Sequence, residues 1–440
     1  MACKDCPEDR LGLSRRTLLR NSVGGFLGYA LARNADPNLL LAQEGTRAAG
    51  KSLIVLWMSG GPTQFETWSP LEGRENGGPT KALATSVKDI QYADNMKVCA
   101  TQAEHIAVVR SMSSREGSHE RGRYLLHTGY VPTGTVMHPS LGAITAMEVG
   151  RKELDLPNFI SVGGTTEGAG FLSPEYNPFT VNTGGRGNGG DRRAGAGGSG
   201  IPNIAYGTGV DKNRFRERMK LLQEQEGDFE KEHASDEVTR HKTAYAKADK
   251  LMHTPLLEAF DLSKEKADLV TAYGDNPFGK GCLLARRLVE RGVSCVEVNL
   301  GGWDTHQDNF TRVAQNCKQL DPGMGTLIKD LNDKGLLKNT MVLWMGEFGR
   351  TPKVNGNSGR DHYPRAWSVA LAGGGIQGGR VVGATDKDGV EVKDRPVTVP
   401  DLFATVYSAM GVDFKKKNVS PLGRPIALSD NGVPVKELLS

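Results

Sequence analysis

"VSCVEVNLGGWDTHQDNF", residues 293–310, passes from a run that reads as a buried strand into two glycines and then into a turn that holds Trp303, Asp304, His306 and Asp308. Residues 293–300 have the length of a strand, and Val293, Cys295, Val296, Val298 and Leu300 make it apolar enough to read as a buried one. From Phe310 to about Lys334 the pattern becomes helical. A buried strand that leaves through glycines into a polar turn and then a helix is the repeating unit of an α/β sheet, and ligands in such sheets gather at strand ends. Asp after a strand commonly caps a helix, and a nearby His often bonds only the backbone. Asp and neutral His are equally oxygen and imidazole ligands for a divalent ion, a reading that requires more ligands from other turns.

The same strand reading extends along the chain to "SLIVLWM" (52–58), "HIAVVRSM" (105–112), "NFISV" (158–162), "NTMVLWM" (339–345), "WSVALAGGG" (367–375) and "GRVVGAT" (379–385). Helices are expected at 140–148 and over "VPDLFATVYSAMG" (399–411), which begins with the proline favoured in a first helical turn. The alternation predicts an α/β fold with a largely parallel central sheet flanked by helices, and a hydrophobic content of 38% suffices for a sizeable core. Residues 52–440 are expected to form one domain. It carries a glycine-rich insertion at 163–200 and a charged helical excursion at 211–292, where apolar residues recur every three or four positions. His233, His241 and His253 fall in that excursion and read as surface residues, whereas His127 and His138 read as structural.

The formal net charge is +4, and half of it lies in residues 1–32, so nucleic acid is not indicated as a partner. Those residues include "SRRTLLRNSVGGFLGYALA" (14–32), where adjacent Arg15 and Arg16 precede a mildly apolar stretch and a small-x-small cleavage site at Ala30-Leu31-Ala32. This reads as a twin-arginine signal peptide over 1–32, followed by a linker over 33–51. It implies a transient partnership with the twin-arginine export machinery and a periplasmic or cell-envelope location. The apolar part is shorter than the ~20 residues that span a bilayer, so no stable membrane span is expected once the signal is removed. Cys3 and Cys6 lie within this signal segment, and Cys99, Cys282, Cys295 and Cys317 lie beyond it; their pairing does not follow from sequence.

Four strand exits carry polar, charge-rich turns. They contribute Glu66; then Ser118, His119 and Arg121; then Asp304 and His306; then Glu347, Arg350, Arg360, Asp361 and His362. Carboxylates, imidazoles and guanidiniums converging on one sheet edge can hold a cation and bind an oxyanionic ester. Asp304, His306 and His362 are the expected metal ligands, with Glu66, Glu347 or Asp361 completing the shell. Such a set suits zinc or manganese, and a shell richer in carboxylates suits calcium or magnesium. Ser118 or His119 is the candidate nucleophile or oxyanion contact, with Glu347 and Arg350 beside them as catalytic candidates. Arg121 and Arg360 are candidates for gripping a sulfate or phosphate group.

The motifs "GGPTQFETW", "SHERGRYLLHTGY", "GWDTH", "GEFGRTP" and "GRDHYP" resemble those of a largely uncharacterised exported bacterial family within the alkaline phosphatase and sulfatase superfamily. The resemblance runs from about Leu53 to Ile426. It implies that superfamily's α/β fold and a metal-dependent hydrolase of sulfate or phosphate esters, acting on a small molecule or an extracellular glycan. Three departures accompany it. Ser59-Gly60 stands where metal-dependent relatives have an Asp, and Glu347-Phe348 stands where an Asp-His pair is usual. Ser118 is followed by Glu120 and Gly122 rather than by the Pro or Ala and the Arg that formylglycine conversion needs. These departures argue against a formylglycine sulfatase and leave a binding or scaffold protein as the alternative to a hydrolase.

Overall fold

Seven consecutive buried residues make Ser52–Met58 (β1) an interior strand of the sheet. The computed structural model describes residues 50–164, 166–183, 201, 204, 206–233 and 236–440. The signal peptide expected at 1–32, most of the linker at 33–51 and residues 184–200 of the glycine-rich stretch lie outside the described residues. The other strands of the main sheet are Ile106–Ser113 (β2), Phe159–Val162 (β3), Phe179–Val181 (β4), Cys295–Leu300 (β5) and Thr340–Met345 (β6). Two-residue strands follow at Gly349–Arg350 (β7) and His362–Tyr363 (β8), which pair with each other outside the main sheet. Trp367–Ala372 (β9), Arg380–Val382 (β10) and Val397–Thr398 (β11) then return to it.

Among the described residues the main sheet has nine strands in the order β10-β2-β9-β6-β1-β5-β3-β4, with β11 also pairing with β2. Every pairing is parallel except those of β9 with β2 and β6. The sheet is therefore largely parallel, and because β9 is antiparallel to both neighbours, β2 and β6 run in the same sense. Met58 lies level with Leu300, and Trp57 with Met345. The turns after β1, β5 and β6 consequently leave side by side at one edge.

Alternate residues of β1 feed two separate cores. Ile54, Leu56 and Met58 pack under helices Pro277–Glu290 (α5) and Asn309–Asp333 (α6). Leu53, Val55 and Trp57 pack under His119–Thr128 (α1), Leu141–Glu148 (α2) and Val399–Met410 (α7). Helix α7 starts as its sequence implies, with Pro400 in the first turn and a reciprocal capping box between Thr398 and Asp401.

Two segments differ from their sequence reading. Within 163–200, Phe179–Val181 is a strand that extends the sheet edge with Val181 buried, because three alternating residues suffice for pairing despite the glycines around them. Within 211–292, only Lys212–Glu232 (α3) and Asp236–His253 (α4) are largely solvent-facing, whereas α5 is buried along most of its length. The charges of α5 are internally paired: Arg286 is 1% exposed and meets Glu265, Glu290 and Asp330 at 2.6–2.9 Å. The run at 379–385 breaks at Gly383, where a Cβ would lie 2.0 Å from the Ser111 hydroxyl. Among the described residues no helix is long and apolar enough to cross a membrane.

Candidate metal centre

Three glycine-bearing turns lock together at the edge where β1, β5 and β6 end. Gly60, with φ +117°, approaches the β5 turn so closely that a Cβ would sit 2.4 Å from the Asp304 backbone nitrogen. Its own N–H donates to Glu347 Oε1 at 2.9 Å. Arg350, fully buried, donates from Nε to the Gly61 carbonyl at 2.8 Å and from Nη1 to the Arg360 carbonyl at 3.0 Å. Its Nη2 meets the Gly60 carbonyl and also Asp304 Oδ1, the latter at 2.7 Å. This guanidinium pins the three turns and aims one carboxylate outward.

That carboxylate oxygen is the point on which three imidazoles converge. Asp304 Oδ1 lies 3.4 Å from His119 Nε2, 3.2 Å from His306 Nε2 and 3.3 Å from His362 Nε2. His306 Nε2 and His362 Nε2 are 3.0 Å apart. The far nitrogen of each ring faces a group that only accepts. His119 Nδ1 donates to Glu347 Oε1 at 2.7 Å, His306 Nδ1 to Asp361 Oδ1 at 2.6 Å, and His362 Nδ1 to the Gly117 carbonyl at 2.8 Å. These partners place a proton on every Nδ1, so in the neutral rings every Nε2 presents a lone pair. Three lone pairs and a carboxylate oxygen then face one another with no donor except Arg350.

An acceptor-only cluster of this kind fits a cation. His119 Nε2 is buried with no hydrogen-bond partner, and His119, Asp304 and His362 bring their ligand atoms within 4.8 Å of one another. The separations of 3.0–3.4 Å around Asp304 and between His306 and His362 supply four edges of about the 3.3 Å expected between ligands placed about 2.0–2.1 Å from a tetrahedral ion, while His306 lies outside the mutually close set of His119, Asp304 and His362. A carboxylate or carbonyl behind each imidazole is the arrangement that orients metal-binding histidines. The cluster is open on one side, with side-chain exposures of 47% for Asp304, 42% for His306, 38% for His119 and 23% for His362. Its floor is Phe348, fully buried, with its ring centroid 4.5 Å from that of His362 and 5.2 Å from that of His119.

The local charges pull in two directions. Partial burial would raise Asp304, but the Arg350 guanidinium outweighs it and holds the carboxyl down at about 2. Burial lowers His362, favouring the neutral ligand form, whereas the hydrogen bond to Glu347 raises His119. The hydrogen bond from His306 lowers Asp361.

The residues singled out in the sequence therefore separate into three groups. Asp304, His306 and His362 come together, and His119, read there as a nucleophile or oxyanion contact, points its Nε2 at the same oxygen. Glu347, Arg350 and Asp361 touch these four side chains rather than the open side, so they position the cluster; Asp361 bonds His306 instead of joining the convergent atoms. Glu66 and Arg360 lie elsewhere, as a correction to the reading of Glu66 as a ligand and Arg360 as a substrate contact. Glu66 is 1% exposed, with Oε1 accepting from Arg360 at 2.8 Å and Oε2 accepting from Thr63 at 2.5 Å and Asn309 at 3.1 Å. Both of its oxygens are consumed. Arg360 is fully buried, donates also to the carbonyls of Asn76, Thr351 and Pro352, and lies over the rings of Phe65 and Phe310.

Arg121 is half-exposed and held bidentately by Glu116 at 2.6 and 2.9 Å. Ser118 is exposed at the N-cap of α1, and its side chain makes no capping bond. His127 and His138 stand apart from the cluster: His127 Nε2 lies 3.2 Å from Glu297, and His138 bonds Tyr124 at 2.9 Å and stacks on Tyr130. Sequence reasoning missed the Gly117 carbonyl and the Phe348 floor. A backbone acceptor leaves no sequence signal, and Phe348 registered only as an absent imidazole.

The family model described as "Protein of unknown function (DUF1501)" matches residues 50–439. No curated protein matches the chain in sequence. Among solved structures, similarity extends to the PsFucS1 sulfatase from Pseudoalteromonas sp., at 13% identity and TM-score 0.39, covering 84% of this chain and 70% of that one. A second is a putative sulfatase from Bacteroides thetaiotaomicron, at 10% identity and TM-score 0.40, covering 88% and 74%. A third is an alkaline phosphatase from the Antarctic bacterium TAB5, at 13% identity and TM-score 0.29, covering 74% and 92%. Likenesses this weak decide nothing about activity.

Proposed function

Because the chain belongs, over residues 50–439, to the DUF1501 family, whose function its description leaves open, its activity has to be read from the site; we propose that it is a metal-dependent hydrolase of phosphate or sulfate esters. The observation that carries this reading is the convergence of three imidazole lone pairs and the Asp304 carboxylate on one solvent-open point. Three nitrogens and one oxygen are a donor set for zinc or manganese. A divalent ion held there supplies Lewis acidity toward an ester oxygen and a bound water of lowered pKa.

The chain's own residues bind and orient. His119, His306, His362 and Asp304 are the ligands; Glu347, Asp361 and the Gly117 carbonyl fix the ring tautomers; Phe348 keeps water from beneath. Ser118, one residue before a ligand, is the proposed nucleophile. The substrate is a small-molecule or glycan ester met outside the cytoplasm, a location that rests on the signal at 14–32.

The test is elemental analysis by mass spectrometry on the purified protein and on Asp304→Ala/His362→Ala, with hydrolysis of aryl phosphate and aryl sulfate measured in parallel. Near-stoichiometric metal and ester hydrolysis, both lost in the variant, are expected. A parent protein that takes up no divalent ion on reconstitution would sink the proposal. One observation favours a binding protein instead: Arg350 and Arg360 are sequestered and Arg121 is paired with Glu116, so none of these three arginines is free to grip an ester oxyanion. Stoichiometric metal with no turnover of either ester would select that reading.

A further inference from the structure

Helix α3 is 21 residues long and buries none of them, and its Leu221 and Phe229 are more than half exposed. A polar helix of this length needs cover or a dense set of favourable charge pairs. Its inner side is met by α4, where His241 reaches Glu226 at 2.7 Å and Lys242 reaches Glu230 at 2.5 Å. The outer side carries an exposed stripe at positions 214, 218, 221, 225, 228 and 232, whose alternating spacing of four and three is that of the seam in a two-helix coiled coil. The stripe reads Arg, Arg, Leu, Gln, Asp, Glu.

The even positions of the helix follow the same polarity, with Glu217 and Lys231 as the exceptions at odd positions. Every even position from Lys212 to Lys220 is basic, and every even position from Glu224 to Glu232 is acidic. This is the reverse of what an isolated helix favours, since the macrodipole attracts acids to the N-terminus and bases to the C-terminus. The pattern therefore costs the single helix and suits a partner whose dipole and charges run the other way.

A second copy of the same helix is such a partner. In parallel it would set like charges together. Antiparallel about a two-fold axis at Gln223, the stripe maps onto itself: Arg214 faces Glu232, Arg218 faces Asp228, and Leu221 faces Gln225, each pair occurring twice. We propose that α3 is a dimerisation element that pairs antiparallel with α3 of a second copy of this chain. The assembly is closed by its symmetry, and its charge-rich seam makes it sensitive to salt.

Sedimentation velocity of the full chain over a concentration series tests this. A concentration-dependent dimer is expected in about 50 mM salt, dissociating in about 500 mM. Arg214→Glu/Arg218→Glu should weaken dimerisation by about tenfold or more, because four pairs become repulsive. Adding Asp228→Arg/Glu232→Arg should restore it, since each new Glu meets a new Arg across the axis; unchanged circular dichroism shows that the variants fold. A monomer at every concentration, a dimer indifferent to the first double change, or a fourfold variant no better than the double one would each overturn the proposal.

Discussion

Glu66→Gln and Arg360→Met should differ sharply in cost, although they remove the two halves of one ion pair. The pair is fully interior, at 1% and 0% exposure, so solvent screening does not discount it. Breaking a buried pair from one side costs about 3–5 kcal/mol, chiefly because the other charge stays buried and uncompensated. Glu66→Gln keeps an oxygen for the Arg360 Nη2 and should fall at the low end, about 3 kcal/mol. Arg360→Met strands the Glu66 carboxylate and also orphans the carbonyls of Asn76, Thr351 and Pro352. Three orphaned acceptors at about 1 kcal/mol or more each make this change cost at least about 3 kcal/mol more, by the same rough measure.

For the unit Gly50–Ser440, an unfolding entropy of about 2.1 cal/mol/K per residue sums to ~0.8 kcal/mol/K. Glu66→Gln should then lower Tm by about 4 °C and Arg360→Met by about 7 °C or more. Calorimetry with matching urea titrations reads both. An Arg360→Met protein as stable as Glu66→Gln would refute the carbonyl account, and a Glu66→Gln protein with unchanged Tm would refute the pair as a stabilising hub.

Three further outcomes are expected. Glu347→Gln leaves the ligands in place but weakens the orientation of His119, so metal affinity should fall about 10–100-fold in a chelator competition while the fold persists. For His127, burial lowers the imidazole but the Glu297 charge overcomes it, leaving the folded pKa raised. That contribution to stability is complete below about pH 6.5 and is lost as pH rises through the folded value, so urea midpoints should fall toward alkaline pH, less so in Glu297→Gln. Cys99, Cys282, Cys295 and Cys317 are unpaired and buried, and burial pushes each thiol upward; none should react with a thiol reagent until denaturant is added.

Most of the sheet was legible because β1, β6 and β9 are apolar runs and β1, β3, β5, β6 and β9 are followed within two residues by glycine. Asp304 and His306 were legible because they follow the β5 strand within a few residues, whereas His362 lies well beyond the end of β6 and was read from its neighbours Arg360 and Asp361. What sequence could not separate was a carboxylate facing water from one facing an arginine. Glu66 sits in the same kind of polar turn as Asp304, and only its burial beside Arg360 distinguishes them. His119 was visible as chemistry but not as a ligand, because its direction depends on Glu347, 228 residues away along the chain. Helix α5 looked like its charged neighbours because the partners of Arg286 lie partly on other elements, so its charges read as solvated.

The spread of the ligands along the chain has a consequence for timing. His119, at the start of α1, and His362, in β8, meet only after strands from both halves of the chain have joined one sheet. No fragment ending before residue 362 holds the set, so under the proposed function an ion would be taken up only by the finished fold. If the chain leaves the cytoplasm folded, as a twin-arginine signal implies, the choice of metal is made from the cytoplasmic supply, whatever metals abound where the protein works.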